Sequence, residues 1–221
     1  DVLTLAHESG HAYHGLLMRN VRPYARGYPM TLAETASTFG EQVLMNGLLD
    51  DPSLSDTQKA LILDVEIGHG AVYLLDIPVR YEFEKTFYEE RAQAPLSVSR
   101  LKELMIRTQR RILGDVLESG GEDPYFWASK LHFYITGLTF YNFPYTFGYL
   151  LSRGLYAMFK KDGDSFLPKY EEFLRIAGSD TAENVVKRTV GQDIERADFW
   201  SAAIKSLEEP LHRLQTLAPN L

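Results

Sequence analysis

Apolar side chains recur along this chain at helical spacing. Val2, Leu3, Leu5, Ala6, Ala12, Leu16 and Leu17 crowd its start, with no proline before Pro23, and predict a first helix. Arg19 to Pro29 reads as a loop, punctuated by Pro23, Gly27 and Pro29. From near Thr31, Leu32, Ala36, Phe39 and Val43 recur at steps of four, three and four, the apolar stripe of a second helix whose other face carries Glu34 and Glu41. Pro52 marks a turn, Ser55-x-x-Gln58 a helix start, and the segment from Thr57 to about Gln93 a long helix. Its one irregularity is expected at Gly68-His69-Gly70, a packing glycine pair, with a bend or break at Pro78. A helix capped by Ser97 or Ser99 runs to about Val116, with a solvated basic face at Arg107, Arg110 and Arg111. After a loop over Glu118 to Pro124, helices are predicted from Asn142 to Lys160, from Gly163 to near Gly178, from an Asp180-x-x-Glu183 capping box to Gly191, and from Asp193 onward with a kink near Pro210. No clear strand emerges. The fold class is all-α, a multi-helix domain over residues 1–221.

One stretch departs from this amphipathic rhythm. Leu131 to Ser152 holds no charged residue across 22 positions and eight aromatics. Asn142, Pro144, Gly137, Gly148 and four tyrosines suit a bilayer poorly, so it is not read as a membrane span. Gly137 to Phe143 reads as irregular, and Asn142 caps a helix with Pro144 in its first turn, which puts Tyr145 and Tyr149 on one face. An uncharged, tyrosine-rich segment can line a cleft, where phenol hydroxyls donate to an oxygen that becomes negative. The phenylalanines Phe133, Phe140, Phe143 and Phe147 are expected in the core.

Composition narrows the chemistry. A net charge of −7 argues against a nucleic-acid partner. The chain has no cysteine, so it forms no disulfide, and any metal must be held by His, Glu or Asp. No signal peptide is apparent, and a cytoplasmic location with no membrane partner is expected. With 45% hydrophobic residues among 221, one large or two small cores can be buried.

The first predicted helix carries His7-Glu8-Ser9-Gly10-His11, an H-E-x-x-H pattern. His7 and His11 are four residues apart and leave the same face, so both imidazoles can hold one zinc ion. Glu8 lies about 100° around the helix from His7, a poor place for a ligand in the same plane and a good one for a general base. Three protein ligands plus water is the usual catalytic arrangement. The third ligand must come from further along. Glu34 is one candidate, but Thr31-x-x-Glu34 is also a capping-box pattern, and Glu41 competes with it. The small residues Thr35, Ala36 and Ser37 beside Glu34 would let its helix approach the first closely. His14 is read as a neighbour of the site or a solvated residue, not a ligand, and His69 as a residue that could face the cleft.

His7-Glu8-Ser9-Gly10-His11 followed by Glu34-Thr35-Ala36-Ser37 resembles oligoendopeptidase F and the thimet-oligopeptidase-like zinc metallopeptidases. The resemblance implies one zinc per chain held by His7, His11 and Glu34, with Glu8 as catalytic base. It extends to His132 and to Tyr141-Asn142-Phe143-Pro144-Tyr145-Thr146-Phe147-Gly148-Tyr149, although the histidine and tyrosines are closer together in the thimet-type branch. It implies that His132, Tyr141 and Tyr149, with Tyr145 next, contact substrate and the developing oxyanion. The implied activity is endopeptidase hydrolysis of short, unfolded peptides. The resemblance covers nearly the whole chain but only the C-terminal part of a family member, so a catalytic fragment lacking an N-terminal part of the same peptidase is expected. A homo-oligomer is compatible with it. Two rivals are a zinc metallocarboxypeptidase, which would need a basic residue for the substrate carboxylate, and a non-catalytic helical peptide-binding module with a vestigial motif.

Overall fold

The computed structural model describes residues 2–217. Every regular element among them is helical. In chain order these are α1 (Val2–Leu17), α2 (Met30–Leu49), α3 (Asp56–Ala71), α4 (Ile77–Arg91), α5 (Val98–Leu113), α6 (Phe143–Asp162), α7 (Leu167–Ile176), α8 (Ala182–Val190), α9 (Ala197–Lys205) and α10 (Glu208–Leu217). No helix among the described residues is long and apolar enough to cross a membrane.

Local chemistry explains many of the boundaries. The reciprocal bonds of a capping box begin α3: Ser55 N–H donates to Gln58 Oε1 at 2.9 Å and Gln58 N–H to Ser55 Oγ at 3.3 Å. Ser97 Oγ caps α5, accepting from Arg100 N–H. Thr181, not Asp180, caps α8, because its Oγ1 accepts the Asn184 N–H. Gly191 closes that helix with φ 73°, in the left-handed region where a Cβ is strained. Arg110 and Arg111 of the basic stretch are paired with Glu122 and Glu82.

Four sequence expectations need correction. The long helix over 57–93 is interrupted after the glycine pair, by a π-helical turn at Val72–Asp76. Pro78 lies in the first turn of α4 and has no N–H to donate backwards, and the widened turn just before it absorbs that missing bond. Gly70 is a packing glycine, since a Cβ there would lie 3.2 Å from the Tyr149 hydroxyl, whereas Gly68 faces open space. Val43, placed on the buried stripe of α2, is 45% exposed, and the buried face continues past Phe39 through Gln42, Met45 and Leu49 instead. The last segment is two helices, α9 and α10, with Pro210 in the first turn of α10, where a missing donor is tolerated.

The chain forms two compact units. The first joins the chain up to Gly70 to the chain from Phe147 onward. Its core gathers Leu32, Ala36 and Phe39 of α2, Leu151 and Leu155 of α6, and Phe173, Leu174, Val185 and Val186 of α7 and α8. The second runs from Ala71 to Thr146 around Val79, Phe83, Leu104 and Met105. In the first unit, His14 anchors α1. It is fully buried, its Nε2–H donates to the Leu174 carbonyl at 2.9 Å, and its ring stacks on Tyr28 at 4.2 Å. His14 is thus a core residue rather than a solvated one. Burial holds its pKa below the ordinary histidine value.

Candidate metal centre and catalytic residues

The two helices that carry the motif pack at backbone distance. A Cβ added to Gly10 would fall 2.3 Å from the Ala36 carbonyl oxygen and 2.7 Å from Ser37 Cα. One added to Gly40 would fall 2.8 Å from the Ala6 carbonyl oxygen. Glycine at these two positions, opposite the small side chains of Ala6, Ala36 and Ser37, is what lets α1 and α2 come so close. Gly148 lets α6 approach α2 in the same way, since a Cβ there would lie 3.2 Å from Glu34 Cβ.

At this separation three donor atoms converge. Glu34 Oε2 lies 3.4 Å from His7 Nε2 and 3.5 Å from His11 Nε2, and one ligand atom from each of the three residues falls within 4.8 Å of the others. A tetrahedral zinc with bonds of about 2.0–2.1 Å has ligand–ligand edges of about 3.3–3.4 Å. The two edges measured here match that figure and are too long for good hydrogen bonds. The donor set is also right for zinc: two imidazole nitrogens, one carboxylate oxygen and no thiolate. The His7 and His11 rings stand edge to face at 4.9 Å. Each side chain of the trio keeps about a quarter to a third of its surface exposed, at 26%, 30% and 25% for His7, His11 and Glu34.

Glu34 is released from the capping role that the sequence allowed. The N-terminus of α2 follows Pro29, so Thr31 is not its cap, and the Glu34 carboxylate accepts instead from Ser37 Oγ at 2.9 Å. Glu41, its competitor, makes different contacts. Its Oε1 lies 2.6 Å from His7 Nδ1, and its Oε2 lies 3.7 Å from His69 Nδ1. A carboxylate at His7 Nδ1 keeps the proton there and leaves the Nε2 lone pair facing Glu34. Burial pushes the Glu41 carboxyl up, but His69 and His7 together bring it below its ordinary value. Glu41 in turn raises the pKa of His69. The helical period had put Glu34 and Glu41 on one face; that His7 reaches both, one through each ring nitrogen, required the tertiary structure. Glu8 stands exposed on α1.

Tyr149 lies in this same unit, on α6. It is 5% exposed, and its hydroxyl is 3.4 Å from Arg153 Nη1. Burial raises its pKa, opposed by Arg153. Arg153 also donates to Glu66 at 3.0 Å and to the side chain and carbonyl of Ser206. Sequence patterning carried no signal for this buried Glu66–Arg153 pair.

The other aromatic candidates belong to the second unit, where they form one cluster. The His132 ring stacks on Tyr141 at 4.9 Å and meets Tyr145 at 6.3 Å, and Tyr141 and Tyr145 are 5.9 Å apart. Arg80, unnoticed in the sequence, ties the cluster together. It donates toward His132 Nδ1 at 3.4 Å and to Asn142 Oδ1 at 3.2 Å, and it pairs with Asp76. Asn142 therefore precedes α6 but spends its side chain on Arg80 rather than on a cap. With Nδ1 facing a guanidinium, His132 carries its proton on Nε2; burial first, then Arg80 and Lys130, lower its pKa.

The model of peptidase family M3 matches residues 1–206. The chain belongs to peptidase family M3. Among relatives in this family, it is 31% identical to the plasmid oligoendopeptidase F of Lactococcus lactis subsp. cremoris, over 98% of this chain and 36% of that protein. It is 28% identical to oligopeptidase PepF of Bacillus subtilis, over 98% of this chain and 32% of that one. Two solved structures share the fold of this M3 chain. A putative peptidase from Chlamydophila abortus superposes with a TM-score of 0.85 at 27% identity, over 98% of this chain and 36% of its own. The oligoendopeptidase-F of Enterococcus faecium gives 0.82 at 24%, over 99% and 39%. The chain thus spans about a third of the length of these relatives.

Proposed function

We propose that this chain supplies the metal centre and catalytic residues of a zinc oligopeptidase that cleaves internal bonds of short, unfolded peptides. The observation that carries the reading is the convergence of His7 Nε2 and His11 Nε2 on Glu34 Oε2, both at tetrahedral-edge distances. These three residues would hold one zinc ion. Bound there, zinc supplies a Lewis acid and brings the pKa of a coordinated water towards about 7.

The chain's own groups supply the remainder. Glu41 orients His7 through its other ring nitrogen, and Ser37 Oγ donates to Glu34 Oε2 and holds that carboxylate, so the donor atoms do not have to be gathered when metal or substrate arrives. Glu8, beside His7 and open to solvent, takes the proton of the attacking water and returns it to the leaving amine. His132 through Nε2–H, and Tyr141, Tyr149 and Tyr145 through their hydroxyls, are the proposed donors to the carbonyl oxygen as it gains charge. Loss of one such donor typically costs about 10²–10³ in rate.

The test is metal content of the purified chain beside Glu34→Ala and Glu41→Ala, followed by hydrolysis of a quenched fluorogenic peptide with Glu8→Gln as control. About one zinc per chain, abolished by Glu34→Ala and retained at saturating zinc by Glu41→Ala, supports the ligand set. Glu8→Gln should keep zinc and lose hydrolysis. Loss of zinc only with Glu41→Ala would overturn Glu34 as the third ligand.

A further inference from the structure

The second unit contains a cavity of about 150 Å³ whose walls include Glu84, Phe87, Tyr88, Trp127, Phe133 and Tyr134. Glu84 is 5% exposed. One carboxylate oxygen accepts the Phe140 backbone N–H at 2.8 Å; the other is buried with no hydrogen-bond partner among the described residues. A buried carboxylate satisfied on one side only is costly unless a proton or a cation completes it. Burial pushes this carboxyl up, and no cationic side chain opposes the shift.

The carboxylate is also fastened in place. Phe140 has φ 53°, rare for a residue with a Cβ, and its ring lies 5.5 Å from Tyr88 and 5.6 Å from Tyr81. The bond to Glu84 satisfies the amide of that residue, so the acid is held between a fixed loop and aromatic walls. The rim is open to solvent, with Tyr134 52% and Tyr88 40% exposed.

We infer that this cavity binds a primary alkylammonium group, and that the occupant is the lysine side chain of a peptide. The chemistry selects that class. A divalent metal would need several oxygen ligands, and here one carboxylate oxygen is without a partner. A guanidinium prefers both carboxylate oxygens, and one is committed to Phe140. An ammonium on an alkyl stem needs one strong acceptor, aromatic faces for its remaining charge and apolar walls for its methylenes. Nearby rings of this unit already carry ammonium groups of the chain itself: Lys130 Nζ lies 4.3 Å from the Phe126 ring centre and Lys102 Nζ 4.6 Å from that of Tyr125. This binding requires neither metal nor hydrolysis.

The chain has two tryptophans, so indole N–H resonances of the ¹⁵N-labelled protein give one reporter at the cavity, Trp127, and one internal control, Trp200. The probes are n-butylamine and 1-butanol, then a tripeptide with a central lysine and its norleucine counterpart. Butylamine should shift Trp127 saturably and leave Trp200 in place, with 1-butanol about tenfold weaker or more. Glu84→Gln, which keeps an acceptor for Phe140, should weaken the amine by about tenfold; Tyr134→Leu, an exposed change that spares the core, should weaken it several-fold. Equal affinity for amine and alcohol, wild-type amine binding by Glu84→Gln, or no saturable shift would each overturn the site. A lysine peptide that binds no better than its norleucine counterpart would overturn the lysine assignment.

Discussion

Two glycines on α1 make a matched pair of tests. At Gly10 an added methyl would sit 2.3 Å from the Ala36 carbonyl oxygen, where ordinary contact begins near 3.4 Å, so α1 and α2 must part by about 1.1 Å, the difference of the two. The two ligand edges at Glu34, 3.4 and 3.5 Å, would then open to about 4.5 Å, beyond what zinc bonds of about 2.0–2.1 Å can span. Overpacking of this kind costs about 1–3 kcal/mol, or about 2–12 °C in Tm for a chain of this size. At Gly15, one turn on, nothing lies within 4 Å of an added methyl. There the same substitution only improves helix propensity and should stabilise by about 0.8–1 kcal/mol, or about 2–4 °C. Circular dichroism melts of the metal-free proteins and zinc titration with a competing chelator give both readouts. Gly10→Ala should melt lower and bind zinc at least about tenfold more weakly; Gly15→Ala should melt higher with zinc affinity unchanged. If Gly10→Ala melted with Gly15→Ala and bound zinc like wild type, close approach of α1 and α2 would not be what assembles the centre.

Three further outcomes follow from the geometry. Glu41→Gln should leave zinc stoichiometry intact while weakening affinity by about 10–100-fold, seen by chelator competition, because it removes the charge that fixes the His7 tautomer. Glu66→Ala strands the buried Arg153 and should cost about 3–5 kcal/mol in urea unfolding, towards the lower end since Ser206 still accepts two of its N–H groups; Glu66→Met with Arg153→Met should cost less than the single change. His14 is held below its unfolded pKa, so the unfolded chain takes up its proton first as pH falls. Its contribution is complete above the unfolded value near 6.5 and is lost as pH drops through the window beneath, at no more than about 1.4 kcal/mol per pH unit. In chelator, wild type should therefore lose stability between pH 7 and 5 more steeply than His14→Gln, whose amide can still donate to Leu174, and parallel curves would refute the assignment.

The sequence by itself determined the helical class, the start of most helices and the two histidines as a pair, because these rest on local periodicity, caps and a four-residue spacing that any helix turns into one face. It also placed Glu34 and Glu41 together on one side of α2. It could not divide the work between them, since both readings obey the same period and a capping box suited Glu34 equally well. Tertiary structure gives the two different contacts through Gly10 and Gly40, whose missing side chains set the helix separation at which Nε2 meets Glu34 and Nδ1 meets Glu41. His14 looked like a companion of His11 for the same reason of spacing. It is instead a buried anchor on Leu174, a partner 160 residues away that no local pattern encodes. The π turn before Pro78, the Arg80 tie between His132 and Asn142, and the half-satisfied Glu84 belong to this second kind. Each is a polar or backbone group whose role is set by what the fold brings against it, and burial, unlike periodicity, is not a local property of the chain.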